Sequence, residues 1–291
     1  MTLLRYILDG LVSGTLYVVM ALGLSIIFGL LGIVNFAHGI LYALGAYLAL
    51  AVSGGIVELP FWLSLVVAPL GVAVIAMVLE VLFLRRFYAV DPILGLLFTF
   101  GLTLVGEDAI RMIWGPTGIP FGIPDFLSGS VELLGLNYSV YRLFIVAMVA
   151  VVVGLLWLFF NRTPAGLIIR AGSRDGEMVR LLGISLKPTF TLVFGVGAAL
   201  AALAGVLSAP LAGVQPAMGT DVLTIAFVVV VIGGLGSFWG SVGSGLLVGV
   251  VVTLTAAYAP AYSQASMFAL MIAVLLFRPR GLFGQHWERF E

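Results

Sequence analysis

The sequence predicts an all-α, polytopic membrane protein with about eight or nine transmembrane helices. Hydrophobic residues make up 62% of the 291-residue chain and charged residues only 9%, whereas a typical soluble domain carries about 25% charge. A soluble fold would therefore lack the polar side chains that cover its surface. Repeated apolar runs about 20 residues long match the ~30 Å hydrocarbon core of a bilayer at a rise of ~1.5 Å per helical residue.

The apolar runs are predicted to be helices rather than barrel strands, because a barrel strand alternates lipid-facing and lumen-facing residues. Runs 66–84, 141–160 and 192–207 are apolar on every face instead. Helices and closed barrels are the structures that satisfy every backbone group in lipid. We predict spans at 8–31, 38–53, 61–84, 92–112, 140–160, 190–212, 222–235, 241–258 and 264–277. The seventh and eighth are also compatible with one broken helix or a re-entrant hairpin.

Basic residues concentrate in three segments that the positive-inside rule places in the cytoplasm. Arg85 and Arg86, the loop 161–189 and the tail from Arg278 hold ten of the thirteen Lys and Arg residues. The C-terminus is therefore predicted to be cytoplasmic. The side of the N-terminus depends on whether the span count is odd or even. The remaining loops then lie outside and lean acidic: 54–60, 113–139 and 213–221, with Glu58, Asp125, Glu132 and Asp221 against Arg111.

Two glycine-rich breaks interrupt the apolar pattern, one near each end of the chain: Gly29 to Gly39, and Gly233 to Gly245. Paired breaks in the two halves of a chain indicate a transport pathway built from repeats, because the freed backbone groups must face protein or water. The alternative is that these glycines only allow helices to pack closely. We predict a translocation pathway lined by Asn35, Phe36, His38, Gly39, Ser237, Phe238 and Trp239.

Several kinds of chemistry have no support in the sequence. The only lysine, Lys187, precedes a proline, so the Gly-Lys-Ser/Thr string of a phosphate-binding loop is absent. The chain has no cysteine, and its two histidines, His38 and His286, have no neighbouring cluster of metal ligands. We therefore predict no catalytic residue, no metal and no cofactor bound by this chain. His38 is expected to be a neutral hydrogen-bonding group at a helix end or between helices.

The carboxylates near predicted spans argue against coupling to protons or sodium, because none stands alone at mid-membrane depth. Glu80 lies five residues before Arg85. Glu107 and Arg111 have the i, i+4 spacing of a pair on one helix face. Asp221 is predicted to be the N-cap of a span.

The loop 161–189 carries seven charged residues and predicts a short helix over 173–183. Ser173 is the expected N-cap, Asp175 and Glu177 occupy the first turn, Arg180 the last, and Gly183 ends the helix. So short a helix is marginal in water. Its apolar stripe must therefore dock on the bilayer, on the span ends or in a groove of a cytosolic subunit. We assign this docking role to Ser173, Arg174, Asp175, Glu177, Met178, Arg180, Leu181, Leu182 and Gly183.

The segment from Arg162 to Ile184 resembles the conserved cytoplasmic loop of ABC importer permeases of the branched-chain amino-acid uptake type. It reads Arg-Thr-Pro-Ala-Gly, then Arg-Ala at 170, then Glu-Met-x-x-Leu-x-Gly-Ile from 177. Segments 32–39, 233–240 and 277–283 resemble the same family, in the family's order. The string Asn-Phe-Ala-His-Gly that ends at Gly39 is similar to the H-type permease of the high-affinity family rather than to its longer M-type partner.

The resemblance implies one permease domain, 1–291, in the inner membrane of a bacterial or archaeal cell, with 161–189 as its coupling loop. It implies a second, related permease, two cytosolic ABC ATPases that bind ATP, and a periplasmic or lipid-anchored protein that delivers leucine, isoleucine or valine. The alternatives are the same architecture carrying urea, amides or other amino acids, and a channel or secondary carrier without ATPases. An intramembrane enzyme is disfavoured because no nucleophile–base pair is evident.

Overall fold

The computed structural model describes residues 2–54, 60–88, 91–133 and 135–284. In this part of the chain the structure is a helical bundle with one short hairpin. Seven helices are long and apolar enough to cross a membrane, and α2 and α9 are shorter apolar helices. The elements are α1 (Thr2–Leu31), α2 (His38–Gly54), α3 (Phe61–Leu82), α4 (Pro92–Trp114), β1 (Ser130–Leu133), β2 (Leu136–Ser139), α5 (Val140–Arg162), α6 (Pro164–Arg174), α7 (Gly176–Leu181), α8 (Lys187–Ala212), α9 (Met218–Gly233), α10 (Phe238–Tyr258) and α11 (Ser263–Phe277).

Each predicted span corresponds to one helix, so the prediction of an all-α polytopic protein is confirmed. Over 222–258 the chain forms two helices, α9 and α10, which are joined by a tight turn and pack on each other at Gly233 and Gly240. The amides of Leu282 and Phe283 donate to the carbonyls of Ile232 and Gly233, at 2.8 and 3.0 Å. These bonds satisfy two of the carbonyls that the end of α9 leaves without a helical partner.

The loops with most of the arginines gather at one end of the bundle, which we call the basic end. Leu30 near the end of α1 packs in a cluster with Ile169 of α6 and Val193 of α8. Gly29 lies against Gly236 in the turn between α9 and α10. The segment 278–284 lies at this end as well, through its bonds to α9. Arg85 lies here too, because it donates to the Thr191 hydroxyl near the start of α8. The three predicted basic segments are thus brought together where the structure describes them.

The chain begins at the opposite end of the bundle. Asp9 in α1 forms an ion pair with Arg142 in the first turn of α5 and accepts a hydrogen bond from Tyr138 at 3.0 Å. The ring of Tyr6 packs edge-on against Tyr258 at the end of α10, with centroids 5.8 Å apart. Helix α1 therefore starts on the same side as the loop that precedes α5. The span count alone had left the side of the N-terminus open.

The helices α1–α4 and α8–α11 form an inverted repeat. Helix α1 packs against α10 as α8 packs against α3, and α2 packs against α3 as α9 packs against α10. The end of α1 lies beside the start of α8, at Leu30 and Val193, so the two equivalent helices run in opposite directions. Helices α2 and α9 contact each other where the halves meet. This is the architecture in which transporters place their pathway at the repeat interface.

Small residues set the distance between α1 and α10. A Cβ atom on Gly14 would lie 2.9 Å from the Cα of Leu246, and one on Gly245 would lie 2.6 Å from a methyl group of Val18. The two backbones therefore touch, as in small-residue helix pairs of other membrane proteins, where van der Waals packing replaces the hydrophobic effect.

We expect Gly14→Ala to lower the thermal unfolding midpoint of the detergent-solubilised protein, because overpacking a tight contact costs about 1–3 kcal/mol. The matched control is Gly154→Ala in α5, where a Cβ would meet no atom within 4 Å. Alanine is the better helix former by about 1 kcal/mol, so this control should unfold at the same temperature or higher. Equal midpoints for the two variants would contradict a close α1–α10 contact.

Candidate functional site

The first break separates α1 from α2 and is satisfied inside the protein. Gly32 has a φ of +67°, which ends α1 in a conformation that favours glycine. Asn35 Oδ1 accepts the amide of Ala37 at 3.0 Å, and the Thr99 hydroxyl accepts the amide of Phe36 at 3.2 Å. Side chains thus bond two backbone amides freed by the break, as lipid requires of irregular backbone at this depth.

Asn35 and His38 are fully buried at the start of α2. The imidazole Nε2 of His38 lies 3.1 Å from the carbonyl oxygen of Met20 in α1, so Nε2 carries the proton and donates it. This bond agrees with the predicted hydrogen-bonding role between helices. Within the described residues, Nδ1 of His38 and Nδ2 of Asn35 have no hydrogen-bond partner. Two polar atoms in the centre of the bundle are therefore left without bonds.

A further break, at 213–217 between α8 and α9, was missed by the sequence reasoning, and we call it the α8–α9 break. Gly213 has a φ of +73°, and α9 starts at Met218. The starts of α2 and α9 meet, since a Cβ on Gly39 would lie 2.5 Å from the carbonyl oxygen of Gly219. The signal that could have found this break is the recurrence of Ala-x-Gly, at Ala37-His38-Gly39 and Ala217-Met218-Gly219, a few residues after a glycine.

The α8–α9 break is also tied to the loop before α5. Ile119 and Val214 exchange both backbone hydrogen bonds, at 2.8 and 2.9 Å, as an isolated antiparallel bridge. The loop at the opposite end is thereby fixed to the segment that leads back into the bundle.

The predicted pathway residues fall into two separate groups. The first group is Asn35, Phe36, His38 and Gly39 at the break between α1 and α2. Phe36 packs near the bundle centre against Phe100 and Phe227, with ring centroids 6.2 and 5.3 Å apart. The second group, Ser237, Phe238 and Trp239, lies at the start of α10 at the basic end. The Ser237 hydroxyl caps that helix by accepting the amide of Gly240 at 3.1 Å, and Phe238 packs on Phe160. Trp239 is 55% exposed. The pathway role of both groups stays a prediction.

The loop 161–189 contains two helices instead of the single one predicted. Thr163 caps α6 by accepting the amide of Gly166 at 3.0 Å. The prediction of Ser173 as an N-cap is wrong, because Ser173 lies inside the last turn of α6 and donates to the carbonyl of Arg170. Asp175 is the N-cap of α7 and accepts the amides of Glu177 and Met178, at 3.1 and 2.8 Å. The chain leaves the helical conformation at Asp175, and only there can a side chain turn back onto the next amides.

The end of α7 and its apolar stripe are as predicted. Arg180 lies in the last turn, and Gly183 ends the helix with a φ of +81°. Val179 is buried and holds α7 on the bundle. The predicted stripe faces away from the bundle: Met178, Leu181 and Leu182 are 54%, 77% and 72% exposed. Arg174 and Glu177 are exposed beside it.

Among the described residues, the carboxylates outside this loop are paired or lie at the surface. Glu107 and Arg111 form the predicted i, i+4 ion pair. The prediction of Asp221 as an N-cap is wrong, because α9 starts earlier and Asp221 lies exposed in its first turn.

At the opposite end, the pKa of Tyr138 is raised to about 12, mainly by burial and further by the nearby Asp9 carboxylate. Within the described residues, no group of three or more His, Asp or Glu side chains could hold a metal ion.

The chain matches the family described as branched-chain amino acid transport system / permease component over residues 6–275. It belongs to this permease family. The high-affinity branched-chain amino acid transport system permease protein BraD of Pseudomonas aeruginosa is 31% identical over 97% of this chain and 96% of its own length. LivH of Escherichia coli K12 is 29% identical, with the same two coverages. LivM of Escherichia coli K12 is 30% identical over 92% of this chain and 67% of its own.

The permease also resembles a solved structure, PsaBC from Streptococcus pneumoniae in complex with Fab. The TM-score is 0.51 at 14% sequence identity, over 97% of this permease and 92% of that chain. At this identity the likeness supports a shared helical fold and nothing about the solute that is carried.

We expect Asp175→Ala in this permease to raise the rate of trypsin cleavage after Arg180 about fivefold. Loss of an N-cap costs about 1 kcal/mol, and cleavage follows the population of the opened helix. Asp175→Asn keeps a capping side chain and should be cleaved like the wild type. Ser173→Ala should also leave the rate unchanged, and a fast rate in that variant would restore Ser173 as the cap. The measurement is the appearance of the cleaved fragment in gels over time.

Proposed function

We propose that this permease imports leucine, isoleucine and valine as the membrane subunit of an ABC importer driven by partner ATPases. The observation that carries the proposal is the capped helix α7, which presents Leu181 and Leu182 away from the bundle at the basic end. An apolar stripe on a helix of this kind fits a groove on a soluble protein. The chain itself lacks a phosphate-binding loop, so its energy must come from a subunit that docks there. The relatives named above supply the substrate class.

The orientation follows from the basic residues. We propose that the basic end faces the cytoplasm, because Arg85, Arg86 and the arginines of the coupling loop lie there. The described part of the tail, through Leu282 and Phe283, bonds to α9 at the same end, which supports the proposal of a cytoplasmic C-terminus. The start of α1 and the loop before α5 then face outward, where a periplasmic or lipid-anchored binding protein would deliver the solute.

The complete importer in this proposal contains two permeases and two ATPases. LivH and LivM are named as distinct permease proteins of high-affinity branched-chain systems, so the second permease is expected to be a related chain rather than a copy of this one. Residues 1–291 form one permease domain with the coupling loop 161–189, and ATP binds on the cytosolic ATPases.

The ATPases can do work on the permease only by contacting its two conformations with different affinity, because an equal contact in both would shift no equilibrium. Helix α7 is suited to this because Val179 fixes one face on the bundle while Leu181 and Leu182 remain free on the other. The convergence of α2 and α9 at Gly39 and Gly219 is the place where such a movement would open the pathway.

We expect the double variant Leu181→Ala/Leu182→Ala to lower ATP-driven uptake at least tenfold. Both side chains are exposed, so their truncation should leave insertion and folding intact while it removes the docking surface. The measurement is amino-acid uptake together with copurification of the ATPases on the tagged permease. Leu167→Ala is the matched control, because Leu167 is an exposed leucine of α6 in the same loop, 61% accessible. Full uptake by the double variant would remove α7 from the mechanism.

The substrate is tested by uptake of labelled leucine into proteoliposomes that contain the assembled complex, with and without ATP. Unlabelled isoleucine and valine should compete, and urea, acetamide and lysine should not. Competition by urea or amides would assign the architecture to another solute. Equilibration of leucine by the purified permease alone, without ATP, would instead identify a channel or secondary carrier.

A further inference from the structure

Glu80, in the last turn of α3, is a fully buried carboxylate with four hydrogen bonds. Arg85 donates Nε to Oε1 and Nη2 to Oε2, each at 3.1 Å. The Tyr88 hydroxyl donates to Oε1 at 3.1 Å, and the Thr191 hydroxyl donates to Oε2 at 2.7 Å. Each carboxylate oxygen thus accepts two bonds, which fills its capacity. We call Glu80, Arg85, Tyr88 and Thr191 the Glu80 clasp.

The clasp joins three elements at the basic end. Glu80 belongs to α3, Arg85 and Tyr88 to the segment 83–88 that leads toward α4, and Thr191 to the first turns of α8. Tyr88 also packs edge-on against Phe190 of α8, with ring centroids 5.5 Å apart. The segment 83–88 is therefore held to the start of α8 through a buried charge.

One side of the clasp is connected to the coupling loop. Helix α8 follows directly after α7, and the residue just before α8, Leu186, is buried. A Cβ on Gly172 of α6 would lie 3.1 Å from Leu186, and one on Gly176 of α7 would lie 3.3 Å from it. Helices α6 and α7 both rest on this leucine, so a displacement of α7 is passed to the first turns of α8 and to Thr191.

The other side of the clasp borders the first break. Glu80 lines a small cavity of about 10 Å³ together with Asn35, Thr99 and Phe194. A cavity of this size has room for about one water molecule. Asn35 and Thr99 accept the amides of the two residues just before α2. The carboxylate therefore lies between the coupling loop and the broken segment at the bundle centre.

The chemistry of the clasp makes it a stiff joint. A buried carboxylate that loses a charged partner is strongly destabilising, so the donors stay in contact with Glu80 as long as it is buried. Arg85 neutralises the charge from a side chain that is 30% exposed, while Glu80 has no exposure. The segment 83–88 therefore moves together with the start of α8, and the distance between the two stays constant.

We propose that Glu80 is a positioning residue for transport, which carries the displacement of the coupling loop from α8 to the segment 83–88 and to the break at Asn35. The source of that displacement rests on the proposed function, namely the ATPases that act on α7. The joint itself is a property of this chain and can be tested without them.

The joint is tested by the distance between spin labels on Arg86→Cys and Lys187→Cys in the purified permease. Both positions are exposed and outside the clasp, and the chain has no other cysteine. The wild-type clasp should give one narrow distribution, and Thr191→Val should at least double its width. Thr191→Ser keeps the hydroxyl and should restore the narrow distribution. An unchanged width in Thr191→Val would overturn the proposal.

The matched control is Thr189→Val, the same change two residues earlier, at a half-buried side chain that makes no hydrogen bond in the described structure. It should leave the distribution narrow. A width that doubles in Thr189→Val as well would show that the effect is general loosening of α8 and would overturn the role of the clasp.

The role in transport is tested by the number of amino acids moved per ATP hydrolysed by the assembled complex in proteoliposomes. Thr191→Val should lower this ratio about tenfold while ATP hydrolysis stays within twofold, and Thr191→Ser should recover it. A purely structural role would lower both rates together, and that result or an unchanged ratio would overturn the proposal. A wild-type complex without ATP-driven uptake would instead overturn the proposed function, while the distance measurement would still decide whether the joint exists.

Discussion

The structure depends on one constraint, that a helix which begins inside a membrane protein must find partners for its first backbone amides without water. Just before α2, the side chains of Asn35 and Thr99 accept the amides of Ala37 and Phe36. Before α9, the amide of Val214 donates to Ile119 in the loop before α5, and the amide of Met218, the first residue of α9, donates to Gln215. The two shorter helices, α2 and α9, can then meet at Gly39 and Gly219 because neither residue carries a side chain. Without these solutions both segments would have to span the bilayer as ordinary helices.

The inverted repeat connects the two ends of the molecule to this meeting point. The α8–α9 break is tied to the loop at the opposite end through Val214. The break between α1 and α2 lies beside the buried carboxylate of Glu80 at the basic end. In an importer of the proposed kind, a binding protein would act on one of these loops and an ATPase on the other. One partner would act on α2 and the other on α9. Because these helices meet, both partners could then bias the same equilibrium between the two permease conformations.

Local patterns were enough for most of the secondary structure and part of the coupling loop. The spans follow from apolar length, the end of α7 from Gly183, and the Glu107–Arg111 pair from its spacing on one helix face. The errors lie at helix starts. Ser173 and Asp221 both have N-cap chemistry but lie inside helices, because the cap is decided by where the backbone leaves the helical conformation. A string of polar residues does not fix that position.

By itself, the sequence determined that the chain is a polytopic helical membrane protein with basic loops on one side and an apolar stripe between Asp175 and Gly183, since these depend on composition and on spacings within a few residues. Only the tertiary structure decided which breaks belong together and which donors surround Glu80. Thr191 is 111 residues from Glu80 in sequence, and contacts over such separations depend on how whole helices pack. No periodicity within a single segment contains that information.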